Sequence, residues 1–132
     1  MKKDFDFERF FTALGDKTRL RLLNLIGETE VCVCYFVEVF GTNQPKVSRH
    51  LAILRDAELV NVRREGKWAH YRINFPENES ARRILSETLE MLKNDSQMRK
   101  DSEELNQVCC NPNQFVTIQN APRPKTIVNT NI

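Results

Sequence analysis

The chain has no apolar run long enough to cross a bilayer, and its opening Met1-Lys-Lys-Asp-Phe-Asp-Phe is too acidic for a secretion signal. A cytoplasmic protein with no membrane partner is the expectation. There is no Cys-x-x-Cys, no glycine-rich phosphate loop and no arrangement of nucleophile and base, so the pattern carries no enzyme signature. Charge of one sign is also scarce: 20 Lys and Arg against 18 Asp and Glu leave a net charge of +2. Nucleic-acid binding would therefore rest on a basic face, not on a basic total. With 132 residues the chain suits one small domain and a tail, and a core of that size favours dimerisation as a supplement.

Cysteine is sparse but grouped. The four fall in two close pairs, Cys32/Cys34 and Cys109/Cys110. In a reducing compartment such pairs point to metal ligands or redox sensors before structural disulfides.

Glycine punctuates the helical pattern. Phe7, Phe10, Phe11 and Leu14 keep helical spacing up to Gly15, and Asp16 caps a second helix whose Leu20, Leu23, Leu25 and Ile26 run up to Gly27. A third helix is expected over Val31–Phe40, with Val33, Phe36, Val37 and Phe40 inward. Gly41-Thr42-Asn43 then turns into a fourth, capped by Asn43 and tolerant of Pro45 in its first turn. Helix, glycine turn and helix form a helix-turn-helix unit. Leu59–Arg64 and Lys67–Asn74 alternate with period two around Glu65-Gly66, giving a hairpin with a basic tip. One long helix from Ser80 to Leu105 follows, carrying Ile84, Leu85, Leu89, Met91 and Leu92. Beyond it Pro112, Pro122 and Pro124 interrupt a stretch without periodicity. The expected fold is mainly α with a β-hairpin wing, a winged helix-turn-helix over residues 1–105, and a flexible tail over 106–132 that carries Cys109 and Cys110.

The chemistry follows from placement. Val47, Leu51 and Leu54 take one face of the fourth helix and leave Gln44, Lys46, Ser48, Arg49 and His50 on or near the other. A recognition helix reads bases mainly with its N-terminal part, so base contacts with double-stranded DNA are assigned there, with His50 alternatively orienting a neighbour. Arg63, Arg64 and Lys67 on the wing suit phosphate or minor-groove contacts. His70 and Trp68 read as structural or packing residues. Cys32 and Cys34 pose a geometric problem. Residues two apart on an ideal helix project about 200° from each other, whereas two sulfurs on one ion lie within roughly 4 Å. Ligation is thus expected to bend or unwind the start of the third helix. The same thiols also suit small core residues or a redox pair. Phe7, Phe10 and Phe11 at one end, with Ile84, Leu85, Leu89 and Leu92 at the other, exceed what one thin domain covers, so an isologous homodimer on a palindromic operator is expected.

Ala13-Leu-Gly-Asp-Lys-Thr-Arg-Leu-Arg-Leu22, Val31-Cys-Val-Cys34, Gln44-Pro-Lys-Val-Ser-Arg-His-Leu-Ala-Ile-Leu54 and Gly66-Lys-Trp-Ala-His-Tyr-Arg72, in that order, resemble the ArsR/SmtB family of winged-helix metalloregulators over residues 7–95. The last two strings resemble its arsenic-responsive branch. The resemblance implies a homodimer, joined through the first and last helices, that represses a resistance operon until a metalloid releases it. That branch places a third cysteine one helical turn after Cys-x-Cys, where this chain has Val37. The resemblance therefore sends the search for further thiolates to Cys109 or Cys110, of the same chain or its mate. The soft sulfur set suits As(III) or Sb(III), or Cd(II) or Pb(II) if all four sulfurs join. Zinc-sensing relatives place Asp, His and Glu ligands on the last helix, and Ser80–Leu105 contains no His. A redox-sensing winged-helix regulator is the alternative.

Overall fold

Residues 4–110 and 120–126 are described by the computed structural model, and in them short helices surround one small sheet. The first helix, α1 (Phe7–Leu14), is capped by Asp6, whose carboxylate accepts from the Arg9 amide at 3.0 Å. Asp16 does the same for α2 (Lys17–Ile26), accepting from the Arg19 amide at 3.1 Å. These side chains satisfy amides that have no partner within the helix. The inner stripe of α2, Leu22, Leu23, Leu25 and Ile26, is buried.

The first departure from the sequence pattern follows Gly27. Thr29–Cys32 is a strand, β1, and α3 spans only Val33–Phe40. Every residue from Val31 to Phe36 is buried, so periodicity cannot separate buried strand from buried helix there. The deciding partner lies far along the chain, with Val31 opposite Tyr71 and Cys32 opposite His70.

From α3 the chain turns through Gly41, in the left-handed region at φ 61°. There Cβ would be strained. Asn43 then caps α4 (Gln44–Asp56), its side chain accepting from the Lys46 amide at 3.0 Å. The hairpin forms as expected, β2 (Val60–Glu65) and β3 (Trp68–Ile73) meeting through Gly66-Lys67, with Gly66 at φ 59°. It belongs to a larger sheet of order β2-β3-β1-β4, where β4 (Lys125–Thr126) pairs antiparallel with Thr29 and Glu30.

The long C-terminal helix is two helices. α5 (Glu79–Leu92) ends at Lys93, and α6 (Ser96–Cys110) starts after a turn in which Asp95 accepts from the Met98 amide at 3.1 Å. α6 packs on α2 and α3. Its inner stripe is Met98, Asp101, Leu105 and Val108, all buried. Asp101 is 1% exposed and accepts from Arg21 Nε at 2.6 Å and Nη2 at 2.9 Å. Arg21 in turn lies over the Phe40 ring at 4.3 Å. The expected boundary after Leu105 falls inside α6, which carries Cys109 and Cys110 in its last turn. Of the expected tail, residues 111–119 and 127–132 lie outside the described residues.

Packing within the protomer, of α1 on α2 and α4 and of α5 on α2, decides which apolar residues face out. Phe10, Leu85 and Leu92 are buried within the chain and Leu89 is half-buried, whereas Phe7 (64%), Phe11 (52%), Ile84 (37%) and Met91 (65%) are exposed. Phe10, Leu85 and Leu92 thus differ from the expected contact surface: the protomer already covers them. Among the described residues, no helix is long and apolar enough to cross a membrane.

Removing one member of a buried ion pair leaves the other without its counter-charge, at a cost of about 3–5 kcal/mol. Arg21→Ala leaves Asp101, at 1% exposure, without its counter-charge and is expected to lower stability by about 3 kcal/mol in urea unfolding; a change below about 1 kcal/mol would mean that the pair does not anchor α6.

Candidate thiol site and nucleic-acid interface

The thiol pair is built by the change of backbone at Cys32. This residue ends β1 with an extended backbone, φ −69° and ψ 142°, and also serves as the N-cap of α3, so Cys34 is the second residue of the helix. The two thiols therefore do not follow helical geometry. Their sulfurs sit 3.3 Å apart, Cys34 Sγ donating to Cys32 Sγ. This corrects the expectation that the helix must unwind before both can reach one ion, because the separation already lies within the roughly 4 Å that shared ligation permits. Both residues are buried, at 0% and 9% exposure. The hydrogen bond from Cys34, with backbone donors around the strand end, draws the Cys32 thiol down to about 7, while the same contact and burial push the Cys34 thiol up. The pair thus presents one thiolate supported by one thiol.

Among the described residues, no three Cys, His, Asp or Glu side chains stand where they could hold a metal ion. Cys109 is half-buried on α6 and packs against the core. It lines a cavity of about 420 Å³ with Leu25, Leu105 and Arg123. The side chain of Cys110 lies outside the described residues. Between the two cysteine regions stands Tyr35, fully buried, whose hydroxyl donates to the Ala121 carbonyl at 3.4 Å. Burial first, then the neighbouring Cys109, Cys34 and Cys32 thiols, pushes its phenol up to about 12. Tyr35 thus stays neutral and keeps its proton to hold the C-terminal segment near the pair.

The wing is joined to this site. Glu30 is 7% exposed and accepts from Arg63 Nε at 2.9 Å and Nη2 at 2.6 Å, a contact that holds its carboxyl below the usual range. Arg63 also reaches Glu65 at 3.4 Å. All three expected wing cations are exposed, but Arg63 is engaged across the sheet by Glu30, and Lys67 holds its ammonium 4.8 Å from the Trp68 ring centre. His70 is 3% exposed, and its Nε2 has no hydrogen-bond partner among the described residues, with Glu65 Oε1 at 3.5 Å. On α4, Gln44, Lys46 and Arg49 are exposed and Ser48 half-buried. His50 faces α2: Arg19 Nη1 donates to its Nδ1 at 3.2 Å, and Asp16 lies 3.7 Å away. Glu30, Tyr35 and Asp101 carry roles that sequence reasoning missed. Only Glu30 had a local signal, lying two residues before Cys32.

The model of the bacterial regulatory protein arsR family matches residues 16–62, from α2 through the thiol pair and α4 into β2. The arsenical resistance operon repressor of Bacillus subtilis is 38% identical over 84 residues, covering 63% of this chain and 77% of that protein. The chain belongs to the arsR family. The Escherichia coli arsenical resistance operon repressor is 45% identical over 67 residues, 50% of this chain and 57% of that protein. The chain spans between 51% and 57% of the length of three such arsenic-linked relatives. Among solved structures, the homodimeric winged helix-turn-helix DNA-binding domain of a possible arsR-family regulator from Mycobacterium bovis aligns with a TM-score of 0.55 and 26% identity, covering 73% of this chain and 94% of that one. As in that domain, the arsR-family fold here is a winged helix-turn-helix.

The sulfur contact has a spectroscopic consequence. In the Cys109→Ser/Cys110→Ser background, thiolate absorbance at 240 nm is expected to show one group titrating near pH 7, and Cys34→Ala should return it toward the ordinary thiol range. No thiolate below pH 8 would contradict the donated hydrogen bond.

Proposed function

We propose that this arsR-family chain is a DNA-binding transcriptional repressor that leaves its operator when a trivalent metalloid, arsenite or antimonite, is taken by Cys32 and Cys34. The observation that carries the reading is the 3.3 Å sulfur pair at the head of α3, the helix that the Gly41 turn joins to α4 and its exposed polar face. Two soft donors, one of them readily a thiolate, suit a thiophilic ion. Two thiols leave a three-thiolate set incomplete, and Cys109 or Cys110, from the same chain or its mate, supplies the remainder on closure. A Cd(II) or Pb(II) responder using all four sulfurs is the variant of this reading with more ligands.

Gln44, Lys46, Ser48 and Arg49 read base edges and phosphates, and Arg64 and Lys67 grip the backbone. His50 positions α4 against α2. Arg63 acts from within the sheet. Phe7, Phe11, Ile84 and Met91 form the contact with a second copy, which presents two recognition helices to a two-fold operator. The printed names of the B. subtilis and E. coli relatives support the resistance-operon reading. The protein is cytoplasmic and has no catalytic role.

A redox regulator is the second reading, favoured by the same sulfur contact, and peroxide in place of arsenite separates the two. Cys32→Ser and Cys34→Ser are expected to bind operator DNA within about twofold of wild type and to lose arsenite release. Lys46→Ala and Lys67→Ala should each lower the salt slope of binding by about 1. Fluorescence anisotropy with labelled operator reads both effects. Cysteine variants that still dissociate with arsenite would sink the assignment.

A further inference from the structure

The residue opposite Cys32 in the sheet is His70, and the residue opposite His70 is Arg63, so one row crosses β1, β3 and β2. Glu30 lies two residues before Cys32 and therefore projects from the same face of β1. Arg63 reaches over β3 to that carboxylate with two donors on one oxygen. Strands that are not neighbours are thus tied together above His70. At 7% exposure Glu30 has little water to exchange for its partner, and a buried carboxylate without a counter-charge is costly. Where Glu30 moves, Arg63 follows.

We propose that the Glu30–Arg63 bridge is the positioning element that carries events at the thiol pair to the wing. The inference rests on the proposed capture of a trivalent arsenical by Cys32 and Cys34. An atom bridging these sulfurs enters a packed interior and removes the Cys34-to-Cys32 hydrogen bond. A close-packed region accommodates added volume by shifting backbone. Cys32 is a sheet residue, so the shift falls on β1, and Glu30 and the β1–β3 pairing hand it to β2 and β3. Arg64 follows Arg63 directly on β2, and Lys67 lies in the turn just beyond. The bridge therefore supplies a route to DNA in addition to the packing of α3 on α4.

Phenylarsine oxide tests this, because it needs only two thiols: two As–S bonds form, and its oxygen leaves as water with the two thiol protons. Trp68, the single tryptophan, sits on the wing and reports its movement. Wild type is expected to change Trp68 emission and to lose operator affinity on taking the probe. Glu30→Gln and Arg63→Gln should take it with wild-type stoichiometry, lose most of the Trp68 change, and show a loss of affinity at least about fivefold smaller. Their double variant should behave like either single. Cys32→Ser is the control for probe uptake, and melting curves confirm folding; Arg63 is 45% exposed, so its variant keeps the test open if Glu30→Gln unfolds. A full Trp68 change and full release in both single variants would overturn the bridge. A wild type that takes the probe and changes Trp68 emission while retaining operator, with the change lost in both variants, would support the bridge and sink the repressor reading.

Discussion

At Cys32 one residue completes a strand and caps a helix. Its extended backbone lets strand and helix contribute one thiol each to the same spot, which two positions on a single helix turn do not allow. The same pairing fastens the thiols to β3, the strand that also builds the wing. Sulfur proximity, the lowered Cys32 thiol and the connection to the hairpin all depend on β1 forming and pairing there. Loss of that pairing would return the cysteines to opposite sides of a helix.

Burial of the pair is the second consequence. Cys32 and Cys34 are buried, and the C-terminal segment reaches back to α3 through the Tyr35–Ala121 hydrogen bond and to β1 through the β4 pairing. The buried Arg21–Asp101 pair fixes α6 on α2, and so brings Cys109 to the side of the molecule where Tyr35 lies. Under the proposed function, an ion entering this region would meet one thiolate ready to bind and would have to displace packed atoms to reach it, so that recognition and mechanical response would be one event.

The helix-turn-helix and the hairpin were legible because their signals are local. Gly41 and Asn43 mark the turn, and alternation around Gly66 marks the wing. What was not legible depended on distant partners. The end of β1 looks like helix because every residue from Val31 to Phe36 is buried, and only His70 and Tyr71, nearly forty residues on, make it a strand. The continuation of α6 past Leu105 was hidden because Asp101 interrupts an otherwise helical stripe of Met98, Leu105 and Val108, and a buried Asp reads as surface until Arg21 is seen beneath it. The break before α6, by contrast, had a local signal in the Asp95 cap, which sequence reasoning missed. Of the expected site, the Cys32/Cys34 pair is brought together, Cys109 is not gathered with it, and Arg63 is committed to Glu30. No pattern within a few residues of Arg63 distinguishes it from Arg64.

The central claim is that the thiol pair is assembled before ligation and signals through the sheet, with α3 intact. Hydrogen–deuterium exchange of the full chain with and without a bound trivalent arsenical measures this directly. Amides within Val33–Phe40 should keep their protection while those of β3 and the wing tip change. Loss of protection through the first turns of α3, with the wing unaffected, would contradict the account.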